Sequence, residues 1–470
     1  MFFHSPFLGF SHSFYLYPSM RQTISFEISD PDFQERLLLW SNKQTVSCAL
    51  NSNREKQLFS DEYSKLDFIV AVEAIDQITG PTSGNTDGFK LLKDFHDSRK
   101  DWLFGFLTYD LKNDPGHPGE KLKSENFDGL GFPLMHFFQP RFIFELSVIN
   151  RKLDVRYLEK ADTVVSVQQI VDDISAIEIR EEEEFDIQMQ PRVSKEEYTA
   201  TVSKIKEHIQ RGDVYELNYC LEFFANDTFL NPVHCYKRLN ELSPMPFSTF
   251  YKLNEHYLMC ASPERFVAKR KSAVISQPMK GTARRGANPE EDVNIKSQLQ
   301  NDFKEQSENV MIVDLVRNDL SRTAKKGSVE VKELFGVYAF KQLHQMISTV
   351  VSEVKEDVHF VDVIKNLFPM GSMTGAPKVR AMQLIEEFEN TKRGLYSGTV
   401  GYVTPDDDFD FNVVIRSVLY NERKKYLSFM VGSAITANST IENEYDECLL
   451  KAGAMLNVLR SNRSLVTTGC

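Results

Sequence analysis

The chain has 470 residues, of which 41% are hydrophobic and 26% are charged. This balance predicts a globular protein of one large or two ordinary domains and excludes a disordered or fibrous chain. The formal net charge of −12 argues against a nucleic-acid-binding protein, because that affinity depends mainly on Lys and Arg neutralising phosphates. A small anionic substrate is still compatible with a local cluster of basic residues.

Six cysteines are scattered along the chain without a C-x-x-C pair. They predict neither a zinc framework nor a disulfide scaffold and favour a reducing cytoplasm. The first twenty residues are aromatic and apolar, but they lack the features of a signal peptide and are too short for a membrane-spanning helix. Met20 precedes a strand-like segment and is a candidate for the natural start of the protein.

The region from residue 20 to 185 mixes strand-like runs with turn-rich patches, which predicts one α+β layer. Its strand-like runs are FIVAVEAI, WLFGFLTYDL and RFIFELSVI. Four consecutive glutamates at 181–184 are typical of a solvated connector. We therefore expect a domain boundary there, with a second domain at residues 190–465.

The second region begins with a helix that stops at Gly212 and leads directly into a strand. Near its end, short polar turns separate three strand-like runs, which predicts an antiparallel meander. The runs are GLYSGTVGYV, FDFNVVIRSVLY and KYLSFMVGSAIT. Ser439 and Glu442 then form a capping-box pattern at the start of a last helix. Long antiparallel strands with intervening helices indicate an α+β fold and argue against a doubly wound parallel sheet.

Two pairs of glutamates have helical spacing that places each pair on one face of a turn. The pairs are Glu305 with Glu308 and Glu444 with Glu447. Carboxylates from two helices could hold Mg²⁺, which prefers a few carboxylates together with water and substrate oxygens. Alternatively, the pairs are solvated surface charges, and Glu447 forms an ordinary ion pair with Lys451.

Several other residues have both a binding and a structural interpretation. The amides near Thr374, at a Gly-containing helix entry, could hold an anion or simply form a turn. Arg416, in the middle of a strand-like run, needs a carboxylate partner if it is buried, or else faces solvent. Tyr402 and His344 are candidates for a site and equally for the core.

Glu264 and Lys280 are the candidates for acid–base and nucleophilic chemistry. Glu264 follows Ser262 and Pro263 at a strand end, where it could act as a general acid. Lys280 lies between a Pro and a Gly-Thr pair and is followed by two arginines. A lysine in a closed site can become a nucleophile, whereas a loop lysine beside two arginines is normally surface charge.

Ten motifs, taken in order, resemble the chorismate-binding family and cover Ser194 to Leu459. Ten motifs in one order are far more specific than any of them alone. The N-terminal run WLFGFLTYDL is similar to the N-terminal part of the synthase component I proteins of that family. The ten motifs are SPMPFSTF, ASPERF, PMKGTARRG, KEQSENVMIVDLVRND, the segment around His344, MTGAPKVRA, SGTVGYV, FNVVIRS, VGSAIT and EYDECLLKA.

The resemblance implies a two-layer antiparallel β-sandwich flanked by helices, with chorismate and Mg²⁺ in a deep cleft. Glu308 and Glu447 match the metal ligands, with Glu305 and Glu444 as nearby supports. Mg²⁺ would hold the ring carboxylate of chorismate, and Arg416, Tyr402 and amides near Gly432 would hold the enolpyruvyl carboxylate. The residues implied in substrate binding are Thr282, His344, Thr374, Tyr402, Arg416, Gly432 and Lys451.

Two positions select the reaction within the family. Members that add water carry Lys at the position of Glu216, and ammonia-using members carry Gln, so Glu216 fits neither pattern and its role is open. Lys280 stands where other members usually carry Ala, and it marks the members that form 4-amino-4-deoxychorismate, a precursor of para-aminobenzoate and folate. The implied mechanism has Lys280 attack ring carbon 2, Glu264 protonate the departing hydroxyl, and ammonia displace the lysine. It requires a neutral Lys280, and we expect Mg²⁺ and Arg residues to lower its pKa.

The resemblance implies further partners, alternatives and departures. No glutaminase motif is present, so ammonia is expected from a separate glutamine amidotransferase subunit. The first alternative is a subunit that makes anthranilate from chorismate, and the second is a chorismate-binding subunit that has lost catalysis. The family's G-A-G-I is written with Ser433 and Ala434, its E-H pair ends in Asn309, and its L-L-E-S element appears as VAVEA, which weakens tryptophan control.

Overall fold

A computed structural model describes residues 21–59, 61–80, 86–119, 121–122, 124–159, 166–180 and 185–460. Met20 as a start and the glutamate run at 181–184 lie outside the described residues. No helix of the described part combines the length and the apolar character needed to cross a lipid bilayer.

Helices separate many of the strands, and a helix ends the described chain. Three short 3-10 helices at Arg54–Lys56, Tyr109–Asn113 and Gly371–Met373 accompany them. The α-helices of the described residues are α1 (Phe33–Ser41), α2 (Gly88–Arg99), α3 (Val167–Ser175), α4 (Lys195–Gln210), α5 (Pro232–Leu242), α6 (Pro289–Asn301), α7 (Phe303–Ser321), α8 (Phe360–Leu367), α9 (Lys378–Phe388) and α10 (Ile441–Leu459).

The strands pair antiparallel throughout the described sheet, which confirms the predicted α+β class. They are β1 (Gln22–Glu27), β2 (Val46–Asn51), β3 (Phe68–Thr79), β4 (Leu103–Leu107), β5 (Met135–Ser147), β6 (Lys152–Tyr157), β7 (Gln190–Pro191), β8 (Glu216–Ala225), β9 (Phe247–Leu253), β10 (His256–Ser262), β11 (Arg265–Arg270), β12 (Ala273–Gln277), β13 (Met279–Arg284), β14 (Glu330–Ala339), β15 (Leu343–Glu353), β16 (Gly375–Ala376), β17 (Thr399–Val403), β18 (Phe409–Asn412), β19 (Ser417–Asn421) and β20 (Tyr426–Thr436).

The strands form two layers that share the long strand β5. The first layer runs in the order β1, β6, β5, β3, β2, β9, β10, β19, β20 and β8, with β7 and β16 beside β8. The second layer leaves β5 through β4 and continues as β17, β18, β11, β12 and β15, with β13 and β14 flanking β15. This is the predicted two-layer antiparallel sandwich.

Alternating residues of one strand separate the two main cores. In β3, Phe68 and Val70 belong to the core that packs under helices such as α1, α4 and α10, whereas Ile69 and Ala71 belong to the core that also contains residues of the second layer. Because both faces of the strand are covered, its sequence is a continuous apolar run. The first core therefore lies between the first layer and its helices, and the second core joins residues of both layers with residues of α2, α7 and α8.

Two local predictions are wrong. Arg416 is not inside a strand, because β18 ends at Asn412 and β19 starts at Ser417, and Arg416 has a φ of 50° in the segment between them. The last helix has Thr440 as its N-cap, without a side-chain cap. The Ser439 hydroxyl instead accepts a hydrogen bond from the Thr436 amide, so the capping box does not form. A capping box is present instead at the start of α4, where Ser194 and Glu197 form it.

Strands from both sides of the predicted boundary pair with each other. β2 pairs with β9, and β4 pairs with β17. Both cores also contain residues from the two regions. The division into residues 20–185 and 190–465 stays a prediction about the sequence, and in three dimensions the two regions share one sandwich.

Candidate active site

Lys280 and Glu216 form a buried ion pair at the centre of the site. The Lys280 Nζ donates to Glu216 Oε1 at 2.6 Å, and the two side chains are 10% and 1% exposed. The second carboxylate oxygen of Glu216 is buried and has no hydrogen-bond partner among the described residues. An ion pair withdrawn from water in this way holds its partners in one geometry and leaves one oxygen available to a ligand.

Irregular strand pairing positions the lysine. Between Met279 and Thr282 the register of β13 against β15 shifts, and Gly281 has a φ of 81°, which few residues other than glycine adopt easily. A Cβ atom at Gly281 would also lie 3.1 Å from Glu305 Oε2. The glycine therefore lets the backbone next to Lys280 approach the carboxylate of Glu305.

Glu264 lies between β10 and β11 and is 4% exposed. Its Oε1 accepts a hydrogen bond of 2.7 Å from Ser372 Oγ. Burial raises the pKa of Glu264 to about 7, although Ser372, Lys280 and Arg416 act in the opposite direction. A carboxyl group with a pKa near neutrality can donate a proton at physiological pH, as a general acid requires.

Thr282, Gln345 and Arg416 form a polar group beside Lys280. Gln345 Oε1 accepts hydrogen bonds from Thr282 Oγ1 at 3.0 Å and Arg416 Nη2 at 3.5 Å, and Gln345 Nε2 donates to the Gly281 carbonyl at 2.8 Å. Burial lowers the pKa of Arg416 to about 10, against the favourable charge of Glu264. No carboxylate forms an ion pair with Arg416 among the described residues, so this guanidinium can bind an anionic ligand.

The four predicted metal-side glutamates gather around two lysines, as helices α7 and α10 bring them together. Lys304 Nζ lies 3.3 Å from Glu444 and 3.7 Å from Glu308. Lys451 Nζ lies 2.7 Å from Glu447 and donates to the Gly432 carbonyl at 2.9 Å.

Burial raises the pKa of Glu308 to about 7 and also raises that of Glu305. For Glu447, burial opposes ionisation, but Lys451 and Lys304 lower its pKa overall. The ionised forms of Glu305 and Glu308 are therefore disfavoured, and a nearby positive charge would favour them, whereas the lysines already stabilise ionised Glu447.

The donor set fits a magnesium ion. Four carboxylates face two lysines, and one buried oxygen of Glu308 has no hydrogen-bond partner among the described residues. The four do not bring three ligand atoms within 4.8 Å of one another. Mg²⁺ is compatible with such an open arrangement, because it takes one or two carboxylates and completes its shell with water and substrate oxygens.

Position 432 requires glycine because residues of the neighbouring strand β8 approach its backbone closely. A Cβ atom there would lie 2.6 Å from Asn218 Oδ1 and 2.7 Å from Cys220 Sγ. The hydroxyl of Tyr396 lies within hydrogen-bonding reach of the same Cys220. The backbone of β20 thus meets β8 without an intervening side chain at this point.

Three predicted site residues do not join this group. The His344 ring Nε2 lies 2.9 Å from Asp292 Oδ1, on the face of β15 opposite to Gln345. Thr374 turns its hydroxyl back to the Met370 and Gly371 carbonyls, and its amide donates to Gly371. Tyr402 stacks on Trp102 and lies among residues of the N-terminal region. The contacts of these three residues support a structural role for each of them.

Sequence reasoning missed Gln345, Ser372 and Tyr396. Gln345 neighbours the predicted His344, and only strand alternation distinguishes the two. Ser372 and Tyr396 carried no signal beyond their closeness to the MTGAP and SGTVGYV motifs. Glu216 was noticed as a departure, but its pairing with a lysine 64 positions away could not be read from the sequence.

The two-layer sandwich and this group of carboxylates, lysines and an arginine define an enzyme-like site. The chain belongs to the chorismate-binding enzyme family, whose model matches residues 35–457. The resemblance seen in the motifs is therefore confirmed over most of the chain.

Curated relatives share part of their length with this chain. It is 32% identical to the aminodeoxychorismate synthase of Arabidopsis thaliana, described as chloroplastic, over 391 residues, which are 78% of this chain and 41% of the relative. It is 36% identical to aminodeoxychorismate synthase component 1 of Escherichia coli strain K12 over 270 residues, which are 57% of this chain and 59% of the relative. The chain thus spans about half the length of these relatives.

A solved structure shows the same fold. The chain superposes on anthranilate synthase component I from Streptococcus pneumoniae with a TM-score of 0.72 and 24% identity, covering 86% of this chain and 96% of that one. At this identity the likeness shows the fold alone.

Proposed function

We propose that the protein converts chorismate and ammonia to 4-amino-4-deoxychorismate, which feeds para-aminobenzoate and folate biosynthesis. The observation that carries the proposal is the position of Lys280. Its amine donates a hydrogen bond to Glu216 and is close enough to Glu264 for its charge to lower the pKa of that carboxyl group. Family membership and relatives named aminodeoxychorismate synthase support it.

The charges of the site suit a substrate with two carboxylates. Arg416, partly buried and without a carboxylate ion pair among the described residues, is the group for one carboxylate. Glu308 and Glu447, supported by Glu305 and Glu444, would hold Mg²⁺. Bound there, the ion supplies positive charge for the other carboxylate. Thr282, Lys451 and the backbone at Gly432 line the space between these ends.

The chemistry divides one displacement into two steps. The Lys280 amine forms a bond to ring carbon 2, the two double bonds shift, and the hydroxyl on carbon 4 leaves as water with a proton from Glu264. Ammonia then forms a bond to carbon 4, the double bonds shift back, and the lysine is expelled as a neutral amine. The new ammonium group returns a proton to Glu264, so the net reaction exchanges ammonia for water.

Glu216 is the group that frees the Lys280 amine. We expected nearby cations to lower the pKa of Lys280, but the carboxylates around it outweigh the effect of burial and raise that pKa. The resting lysine is therefore protonated and must lose a proton before attack. Glu216, at 2.6 Å, accepts that proton and returns it when the lysine is expelled.

We propose that ammonia comes from a separate glutamine amidotransferase subunit; the component 1 name of the Escherichia coli relative implies a partner subunit for that protein. We also place the protein in a reducing compartment such as the cytoplasm, because the five described cysteines are free and buried. Neither proposal affects the chemistry of Lys280, which needs only free ammonia.

The second candidate is formation of anthranilate, for which the structural likeness to an anthranilate synthase component provides the fold. Lys280 argues against it, because addition of ammonia at carbon 2 leaves no role for an amine nucleophile directed at that carbon. A non-catalytic subunit is disfavoured because the chain retains Glu264, Lys280 and all four metal-side glutamates.

The test is product identification. Purified protein is supplied with chorismate, Mg²⁺ and ¹⁵N-ammonium, and the products are separated and weighed by mass spectrometry. We expect ¹⁵N-labelled aminodeoxychorismate without release of pyruvate. Labelled anthranilate with stoichiometric pyruvate would instead establish the second candidate, and unchanged chorismate would contradict both.

A further inference from the structure

A second group of ionisable side chains lies outside the candidate active site, where α2 meets the start of α8. It contains His96 and Asp97 at the end of α2 and His359, the N-cap residue of α8. Asp407, in the turn between β17 and β18, borders it. These residues come from three separate parts of the chain that only the fold brings together.

The group contains several buried polar atoms without hydrogen-bond partners. His96 is fully buried, and neither of its ring nitrogens has a hydrogen-bond partner among the described residues. His359 Nε2 and Asp407 Oδ1 also form no hydrogen bond, although they lie at ion-pair distance from Asp97 Oδ1 and His96 Nε2, at 3.4 and 3.1 Å. Buried polar atoms are normally satisfied, and a concentration of lone-pair donors at one point is typical of a site that holds a cation.

The spacing of the ligand atoms matches a tetrahedral metal ion. His96 Nδ1 lies 3.6 Å and His359 Nε2 lies 3.4 Å from Asp97 Oδ1, and the three residues place one ligand atom each within 4.8 Å of the others. Metal–ligand bonds of about 2.0–2.1 Å in a tetrahedron separate neighbouring ligands by about 3.4 Å. Little movement is therefore needed to place an ion among them.

The donor types select the metal. Two imidazoles and one carboxylate suit Zn²⁺, whereas Mg²⁺ and Ca²⁺ prefer oxygen ligands. Asp407 Oδ1, 3.1 Å from His96 Nε2, lies where a carboxylate can orient a metal-bound imidazole.

Two existing contacts change when a metal binds. Lys100 Nζ lies 2.8 Å from Asp97 Oδ1 and would move aside, which its exposed side chain permits. His359 Nδ1 accepts a hydrogen bond of 3.2 Å from the Val361 amide, and this bond is lost because Nδ1 carries the proton when Nε2 binds metal. Both exchanges lower the affinity without blocking the site.

We propose that His96, Asp97 and His359 bind one Zn²⁺ ion, with water as the fourth ligand. The ion would connect α2 of the N-terminal region to α8 of the C-terminal region, which already contact each other through packing and ion pairs such as the one between Lys93 and Asp362. Its role is structural, since no group of the candidate active site belongs to it. The proposal stands independently of the reaction that the protein catalyses.

Cobalt substitution tests the proposal. The full chain is stripped with a chelator, kept in excess Mg²⁺ to occupy the glutamates, and titrated with Co²⁺. We expect one equivalent to produce the strong visible absorption of four-coordinate cobalt, and Zn²⁺ to abolish that absorption. Zn²⁺ should also raise the melting temperature of the stripped protein.

Variants distinguish this site from adventitious binding. Asp97→Asn and His359→Asn keep side chains that fit, and Asn at 359 can still cap α8, so both variants should fold and weaken Co²⁺ binding at least about 100-fold. His208→Asn is the matched control, because His208 also lies beside an aspartate, Asp213, at 2.6 Å but outside the group. Absorption that is absent in the wild type, or equally strong in all three variants, would overturn the proposal.

Discussion

Lys280 and Glu216 depend on each other both for stability and for chemistry. Their ion pair is almost fully withdrawn from solvent, so each partner would be a costly buried charge without the other. The raised pKa of Lys280, caused by carboxylates that outweigh its burial, means that the pair is ionic at rest. Proton transfer within the pair is then the event that produces a nucleophile.

Replacement of the pair separates these two contributions. Lys280→Met should destabilise the protein by about 3–5 kcal/mol, because it leaves Glu216 buried and unpaired. The double variant Lys280→Met with Glu216→Gln should regain most of that stability and still form no aminodeoxychorismate. Urea unfolding and product assays on the same samples measure both. Equal stability of the single and double variants would show that the buried charges are not coupled.

Glu264 predicts a descending limb in the pH profile. Its pKa of about 7 means that the proton-donating form predominates below pH 7 and is lost above it, so kcat should fall about tenfold per pH unit on the alkaline side. Glu264→Gln should lower kcat by about 10²–10⁴-fold and remove that limb. Steady-state assays between pH 6 and 9 check the prediction. A wild-type profile that stays flat above pH 7 would exclude Glu264 as the acid.

At the scale of elements, strand β15 determines which residues line the site. Its residues 344 and 345 are both buried, at 1% and 5% exposure, because both faces of the strand are covered. Burial on both faces removes the polar–apolar alternation from which a side-chain direction is read. The sequence could therefore indicate the strand but not which of the two side chains faces Lys280.

His344 and Gln345 should differ accordingly when each is replaced by Ala. Gln345→Ala removes contacts with Thr282 and Arg416 and should lower kcat/KM about 5–30-fold, the equivalent of about 1–2 kcal/mol. His344→Ala loses its contact with Asp292 and should reduce stability by about 1–3 kcal/mol while kcat/KM changes less than about twofold. Each variant is the control of the other. A large loss of kcat/KM in His344→Ala with little change in Gln345→Ala would show that His344, and not Gln345, belongs to the active site.

Elements with strong local signals were predictable. The helix before Gly212 follows from apolar spacing and from the glycine that ends it, which the sequence expresses directly. The run FDFNVVIRSVLY has uniform β propensity and predicts one continuous strand. In the structure Arg416 itself has a positive φ and interrupts that strand. The sequence predicts that Ser439 caps the last helix, but its hydroxyl accepts a hydrogen bond from the Thr436 amide instead. The turn before the helix determines this partner.

At the scale of the whole molecule, the sandwich is continuous across the predicted domain boundary. The pairing of β2 with β9 and of β4 with β17 joins residues more than 190 positions apart, and such distant pairings leave no local trace in a sequence. The α+β class could be predicted because short polar turns between strands imply antiparallel neighbours. Which strands meet across layers could not, and neither could the approach of Glu216 to Lys280.

This continuity predicts that residues 190–465 do not fold alone. Without the N-terminal region, β9 and β17 would each expose an unpaired edge. The core between the layers would also lose the apolar side chains that the N-terminal strands contribute to it. The fragment should be insoluble when expressed by itself and recover solubility when residues 20–185 are co-expressed. Soluble yield and cooperative thermal unfolding measure this. A soluble fragment with a single cooperative transition would show that the predicted boundary is also a folding boundary.

The most direct test of the covalent role of Lys280 is peptide mapping after incubation with chorismate and Mg²⁺ in the absence of ammonia. Without the second nucleophile, the lysine bound to carbon 2 cannot be displaced through amination and should accumulate. We predict a mass increase on the peptide containing Lys280 equal to chorismate less one water, which disappears when ammonium is added and aminodeoxychorismate forms. An unmodified Lys280 in a protein that aminates chorismate when ammonium is supplied would contradict it.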